Sequence, residues 1–381
     1  MRTIANNLVN ADCVCPNQQY KIKINNYRYI NLAKVKYINQ KNILEVIMKL
    51  KIIKKFIAMV LIVPVLLTGC NTNATTSNNK GSATESNKVY TIGISQLLEH
   101  PSLDQAREGF IDGLKSHEVD FEFDYANAQG DTANTRIIAE KFVKNKVDMI
   151  YSIATLSTQS VKQATKETNI PVLFSSVTDP VYSQIVESTE KIENVTGVTD
   201  KVYALEILKS AKDLKKVAKV VGIIYNTGES NSEVQVEEVK AAAKELGMTV
   251  ETVGITTVND IPQAVNTLAK TIDVMYIISD NIVASAIDLL ANLCVENNII
   301  TLSTIESQAA NGILMSNGLN YYNLGKQVAE MAKKILVDGI EIKEVHIEQP
   351  SNLNKVVNIK TMEALGLSKD NKAFEGAEFI E

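Results

Sequence analysis

The 381-residue sequence has no tryptophan and only three histidines, His100, His117 and His346, scattered along the chain. Neither a His-dependent catalytic triad nor a zinc constellation can be assembled from them. A Gly-rich phosphate cradle followed by Lys-Ser/Thr is absent, as is Gly-x-Ser-x-Gly, so neither a P-loop nor a hydrolase nucleophile elbow is present. Of four cysteines, Cys13 and Cys15 stand two apart with no second pair to complete a metal site. Cys294 lies in an apolar run and reads as a small buried hydrophobe, and no disulfide framework exists. No enzyme activity, metal or cofactor is therefore expected.

What is present first is an address. Residues 56–67 are apolar, follow a basic stretch that includes Lys49, Lys51, Lys54 and Lys55, and end in Leu66-Leu67-Thr68-Gly69-Cys70. That is the layout of an export signal, too short for a spanning helix and broken by Pro64, closing on a cysteine placed for acylation. Cys70 is the expected lipidation site. Signals of this kind open a chain, so Met48 is the expected start, 1–47 an upstream extension and 48–69 the signal peptide. Residues 1–69 hold eleven of the 39 Lys and Arg and two of the 44 Asp and Glu, which leaves 28 against 42 and a formal charge of −14. Such an acidic body has no basic face with which to bind nucleic acid. Residues 71–87 are Asn, Thr, Ser, Gly and Lys with almost no apolar side chain, the composition of a flexible tether.

From residue 89 onward, strand-like runs at 89–94, 120–125, 149–153, 171–174, 220–225, 249–253, 274–278 and 299–302 alternate with amphipathic helical patterns. This predicts an α/β fold with parallel sheets covered on both faces. The spacing repeats on either side of residue 200, and the length exceeds one core, so two similar lobes are expected. Ligands of such sheets sit beyond the carboxyl ends of the strands, where polar residues are informative.

The first strand is followed by Gln96, Leu98, His100 and Asp104 in a loop that enters a helix; a lone His there is expected to be structural rather than an acid or base. Thr155, Leu156 and Ser157 open the helix after the third strand, either capping it or binding a carboxylate with its backbone N–H groups. Ser176, Thr178 and Asp179 follow the fourth strand, with Asp179 serving either the pocket or the turn before Pro180. In the second lobe the corresponding positions are Asn226, Glu229, Asn231, Asp280 and Glu306. An acid there holds a ligand ammonium or caps a helix, and Asp280 is read towards the ammonium.

Several of these segments resemble one family. Gly93 to Asp104 with Arg107-Glu108-Gly109-Phe110, Asn127-Ala128-Gln129-Gly130-Asp131, Asn194 to Asp200, Asp280 to Ala286 and Asn320-Tyr321-Tyr322-Asn323-Leu324-Gly325 look like blocks of the tryptophan- and tyrosine-binding lipoproteins of ABC importers. The resemblance implies a type I periplasmic-binding-protein fold, two Rossmann-like lobes with three hinge crossings. These are expected near Thr199-Asp200, Ser316-Gly318 and Glu348-Pro350, giving one lobe from 89–199 with 318–348 and another from 200–317 with 349–381. It implies a monomeric extracytoplasmic receptor that closes on an aromatic amino acid and delivers it to a permease and its ATPase. The same fold also serves sugars, nucleosides and sensor subunits. Carried onto this chain, the pocket draws on Gln96, Leu98, Thr155, Leu156, Ser157, Ser176, Thr178, Asp179, Asn226, Glu229, Asn231, Asp280 and Glu306. The carboxylate then lies near Thr155 to Ser157, the ammonium at Asp280 or Glu229, and the ligand side chain against Leu97, Leu98 or Tyr322.

Overall fold

The computed structural model describes residues 88–350 and 353–381. The signal segment, Cys70 and the tether lie outside the described residues. The chain begins as β1 (Tyr90–Gln96), α1 (Pro101–Ser116), β2 (Phe121–Asn127), α2 (Thr132–Asn145), β3 (Met149–Ile153), α3 (Thr155–Thr165), β4 (Val172–Val177) and β5 (Val195–Thr199). These strands form one parallel sheet in the order β2-β1-β3-β4-β5. A second series follows: α4 (Ala204–Leu214), β6 (Val220–Asn226), α5 (Ser230–Glu245), β7 (Thr249–Ile255), α6 (Ile261–Leu268), β8 (Val274–Ile277), α7 (Asn281–Ser285), α8 (Ile287–Glu296), β9 (Ile300–Ile305) and β10 (Met315–Leu319). The chain closes with α9 (Tyr321–Leu336), β11 (Leu353–Asn358), α10 (Ile359–Ala364) and β12 (Glu378–Ile380).

The second sheet runs β12-β11-β10-β9-β8-β6-β7, parallel except where β11 pairs antiparallel with β10. Its strands β7-β6-β8-β9-β10, taken from the β7 edge, repeat the order of the first sheet, so each lobe changes winding direction beside its first strand, between β1 and β3 and between β6 and β8. The carboxyl ends at those two points are where a doubly wound sheet opens a crevice. Central strands such as β3 and β4 are buried along their whole length, the expected result of helices on both faces.

Local sequence explains the helix starts. Pro101 sits in the first turn of α1, Asp131 accepts from Asn134 N–H at 2.9 Å to cap α2, and Asn320 does the same for α9 through Asn323 N–H. On α1 the buried residues Leu103, Ala106, Phe110 and Leu114 recur at three- and four-residue spacing, and Phe110 stacks on Tyr151 with ring centroids 4.1 Å apart. Helix α9 returns to the first lobe and packs on α1 at glycines. A Cβ on Gly109 would lie 1.9 Å from the Tyr322 carbonyl oxygen, and one on Gly325 would lie 2.0 Å from that of Ala106. The two backbones approach too closely for any side chain at either position.

Three segments join the sheets. The first follows β5 at Thr199-Asp200. The third leaves Glu348, whose N–H reaches Gly197 O at 2.9 Å and whose carbonyl accepts from Thr199 N–H at 3.0 Å, so the two segments run side by side. The second passes after Leu319, not at Ser316-Gly318 as the sequence suggests. Gly318 and Leu319 pair with Asn354 and Leu353 in β11 and so belong to the second sheet rather than to the first lobe.

Candidate ligand-binding cleft

The two sets of strand ends face one another and touch. Helix α1 begins with His100 at its N-cap, and the His100 imidazole Nε2 lies 3.3 Å from Asn281 Oδ1 at the start of α7 in the opposite lobe. Ser102 and Ser307 hydroxyls are 3.3 Å apart, the Ser230 hydroxyl donates to Ser183 Oγ at 3.0 Å, and Lys201 bridges Glu238 at 2.8 Å and Asp179 at 3.9 Å. Between the lobes lies a narrow cleft that the apposed lobes leave almost filled, walled by His100, Leu103 and Ser176 on one side and by Asn231, Asn281 and Ala284 on the other. Asp200 and Tyr321 close its hinge end.

The residues read as pocket candidates do not all meet there. Ser176, Asn231 and Asp280 line the cavity. The Ser176 backbone is left-handed, with φ of +58°, and its buried Oγ has no partner. Asn231 spends its amide N–H groups on Glu229 at 3.1 Å and the Ser279 carbonyl at 3.0 Å, which leaves its buried Oδ1 without a donor. Thr155 is buried at the first position of α3 with an unpartnered Oγ1. The preceding Ala154 holds φ of +80° and ψ of 158°, a combination that non-glycine residues avoid, and offers no side-chain cap. Strain of this kind costs about 1–3 kcal/mol and persists only where its surroundings enforce it. Here it leaves the start of α3 with neither a side-chain cap nor a partner for Thr155.

Asp280 is engaged otherwise than its position suggests. Its Oδ2 accepts from Asn226 N–H at 2.6 Å and the Ser232 hydroxyl at 2.7 Å, and its Oδ1 caps α7 through Val283 N–H at 2.9 Å. Three internal donors leave it little capacity for a ligand ammonium. Glu229 is similarly surrounded, by Asn226 Nδ2 at 3.0 Å, Asn231 Nδ2 and Asn281 Nδ2 at 2.5 Å. Burial raises both carboxyls above their ordinary range, and the neighbouring Asp280 adds to the rise at Glu229.

The other candidates are placed elsewhere. Gln96 donates to the Leu98 carbonyl and Asp104, and accepts from Arg107 at 2.8 Å, so its amide is committed inside the first lobe. Ser157 is tied to Ser95 and Ser152. Leu98 packs against the core, while Leu156 faces a groove between α2 and α3 on the outside of that lobe. Asp179 Oδ1 accepts from the N–H groups of Val181 and Tyr182, holding the turn. Thr178 donates to Asp200 at 2.8 Å. Glu306 accepts from Asn320 at 3.0 Å and from Asn354 at 2.6 Å, fastening the second and third crossings. Tyr322 points away from the cleft and bonds Asp112, and Leu97 is in the core; the tyrosine that faces the cavity is Tyr321, one position earlier on α9.

Two cavity residues carried no such expectation. Asp200, on the first crossing, is fully buried; it accepts from Tyr321 OH at 2.6 Å and from Thr178 OH, keeps a spare lone pair on each oxygen, and is raised in pKa by burial. His100 is read from sequence as structural, yet it makes no side-chain cap bond and faces the cavity instead; burial lowers its pKa to about 4, so it is neutral. Among the described residues no group of acidic, His and Cys side chains is arranged to hold a metal ion.

Comparison with known proteins decides the family. The family described as ABC transporter substrate binding protein matches residues 91–378. The chain belongs to that family. This substrate-binding protein is 37% identical, over 84% of its own length and 93% of the relative's, to the tyrosine-binding protein of Clostridioides difficile strain R20291. Among solved structures, it is 28% identical to an ABC domain from Streptococcus pneumoniae in complex with L-Trp, covering 77% of this chain and 100% of that one at a TM-score of 0.73. It is 36% identical to the ligand-free, open structure of a substrate-binding protein with adhesive properties from Clostridium difficile, covering 77% and 99%, yet the TM-score there is 0.60. The better superposition thus goes with the less identical sequence. A glucose-galactose binding protein from Geobacillus stearothermophilus, 17% identical over 71% and 98% at a TM-score of 0.55, shares the fold. The alternating strands, the two lobes and the type I architecture expected from sequence are those of this family. Substrate-binding proteins of ABC importers work outside the cytoplasm and serve a permease. No helix among the described residues is long and apolar enough to cross a membrane.

Proposed function

We propose that this substrate-binding protein captures an aromatic amino acid between its lobes and delivers it to the importer's permease and ATPase, held at the membrane by a lipid on Cys70. The observation that carries the ligand assignment is the set of buried, unpartnered polar atoms around one small cavity. A folded protein rarely leaves such atoms vacant, because each costs about 1–3 kcal/mol unless a ligand or water completes it. Ser176 Oγ, in the cavity lining, suits a carboxylate, which accepts from hydroxyls, and the uncapped start of α3 with Thr155 Oγ1 offers further donors in the same lobe outside that lining. Asp200 and Asn231 Oδ1 suit an ammonium, which only donates. Leu103, Ala284 and Ile305 offer apolar surface to a ring. The names of the tyrosine-binding relative and the L-Trp complex agree with that chemistry.

No bond is made or broken in this reading; ligand energy is spent in biasing an open–closed equilibrium towards the apposed lobes. The acylated cysteine at residue 70 and the polar stretch to residue 87 give the body reach from its anchor. The test is thermal shift of the purified full chain against L-tyrosine, L-tryptophan, L-phenylalanine, common sugars and nucleosides. Stabilisation by aromatic amino acids is expected. A clear shift with a sugar or nucleoside, and none with any aromatic amino acid, refutes the ligand assignment while leaving the family intact.

A further inference from the structure

Hydrogen-bond direction can be followed through three residues to fix which proton His100 carries. Glu229 Oε2 accepts, so Asn281 must direct its Nδ2 at that oxygen, 2.5 Å away. The other end of the amide, Asn281 Oδ1, is then an acceptor facing His100 Nε2 at 3.3 Å. Nε2 therefore holds the proton, and Nδ1 presents a bare lone pair. That Nδ1 is buried and no donor within the protein meets it.

Its surroundings distinguish it from the ammonium site. Leu103 lies one helical turn beyond His100 on α1, and Ala284 one turn beyond Asn281 on α7, and all four line the cavity. The bare nitrogen thus has Leu103 and Ala284, groups that suit a ring, each one helical turn from the His100–Asn281 pair. Asp200, the carboxylate with spare acceptor capacity, sits at the hinge end beside Tyr321. An amino acid whose ammonium is at the hinge end would bring the tip of its side chain towards His100.

We infer that His100 Nδ1 is a specificity-determining acceptor that reads a hydrogen-bond donor on the ligand's ring, the phenol O–H of tyrosine or the indole N–H of tryptophan, and so selects against phenylalanine. This rests on the aromatic reading of the cavity. Phenylalanine would bury the same apolar surface but leave the imidazole nitrogen unpaired, and sites built around a ligand donor reject analogues that lack it far more strongly than apolar pockets reject a missing methylene.

Calorimetric titration of the full chain with L-tyrosine, L-tryptophan and L-phenylalanine at pH 7.5 tests this, repeated with His100→Phe and with His100→Ala in case the first does not fold. Phenylalanine is expected to bind at least about tenfold more weakly than tyrosine and tryptophan in the wild type. The variants are expected to lose that preference, with phenylalanine losing least. Equal affinity for all three in the wild type overturns the inference, as does a preference that survives in a folded variant. An equal loss for all three in the variant also overturns it, since that pattern places the ammonium at His100. Binding of none of the three overturns the aromatic reading and this inference with it.

Discussion

Acidification should open the protein through His100. Its ring is held neutral by burial between the lobes, with the pKa lowered from 6.5 to about 4. When the lobes separate, the ring meets water and regains its ordinary value. The separated form therefore binds the extra proton, so the apposed form keeps its full advantage above pH 6.5 and loses it as pH falls from 6.5 towards 4. At 1.36 kcal/mol per pH unit the whole interval is worth about 3 kcal/mol, and at pH 5 ligand affinity should have dropped by about 30-fold relative to pH 7.5. Asp104 on its own helix acts on the ring, Asp200 and Asp280 line the same cavity, and Glu229 is bonded to Asn281, the ring's partner across the lobes. Those carboxyls also titrate, so the informative quantity is the difference between wild type and His100→Gln, which replaces the ring by a side chain that cannot charge. Ligand titrations at half-unit steps from pH 7.5 to 4.5 measure it. An identical profile for the two proteins, or a wild-type affinity that is flat below pH 6.5, would refute the argument that closure buries a neutral imidazole.

Two further outcomes follow from the geometry. Asp200→Asn should weaken amino-acid binding by about tenfold to a hundredfold, the worth of a charge-assisted hydrogen bond, and calorimetry showing unchanged affinity would remove Asp200 from the ammonium site. Gly325→Ala must push α9 off α1, because the new Cβ would stand 2.0 Å from the Ala106 carbonyl oxygen; a cost of about 1–3 kcal/mol is expected in chemical denaturation, and a variant as stable as wild type would contradict the close backbone approach.

Sequence patterning revealed the central strands because they are continuous Val and Ile runs, bounded by helices with clear spacing. It was weakest where polar residues are buried in the sheet. Strand β10, Met-Ser-Asn-Gly-Leu, has no β-rich composition, and its Gly318 is required only because a Cβ there would lie 1.7 Å from the Thr304 carbonyl oxygen. That tertiary contact is invisible locally, so the sequence pattern puts the crossing earlier than the structure does, where Gly318 and Leu319 still pair with β11. The strand-end rule located the cleft but not the partner each polar side chain chooses. Asp280 and Glu306 are acids at strand ends; Asp280 is consumed by backbone N–H groups and Glu306 by the amides of Asn320 and Asn354. Asp200 is an acid on a connection and keeps free lone pairs. The Tyr321-Tyr322 pair shows the same limit in helix phase. Asn320 caps α9, which turns the first tyrosine inward and the second out against Asp112. The cap residue is visible in the sequence, and it is the signal that would have selected Tyr321.

The Asp200 carboxylate both fastens the connections and borders the cavity. Tyr321 on the second connection is bonded to Asp200 on the first, and the first lies alongside the third through Thr199 and Glu348. A guest at that end of the cavity therefore presses on the pivot itself. Like a wedge set close to the fulcrum of a long lever, an atomic displacement there is magnified at the far rims of both lobes, the surfaces a permease would meet. The loaded state can thus be announced at the rims by one carboxylate at the axle, without a relay through either hydrophobic core.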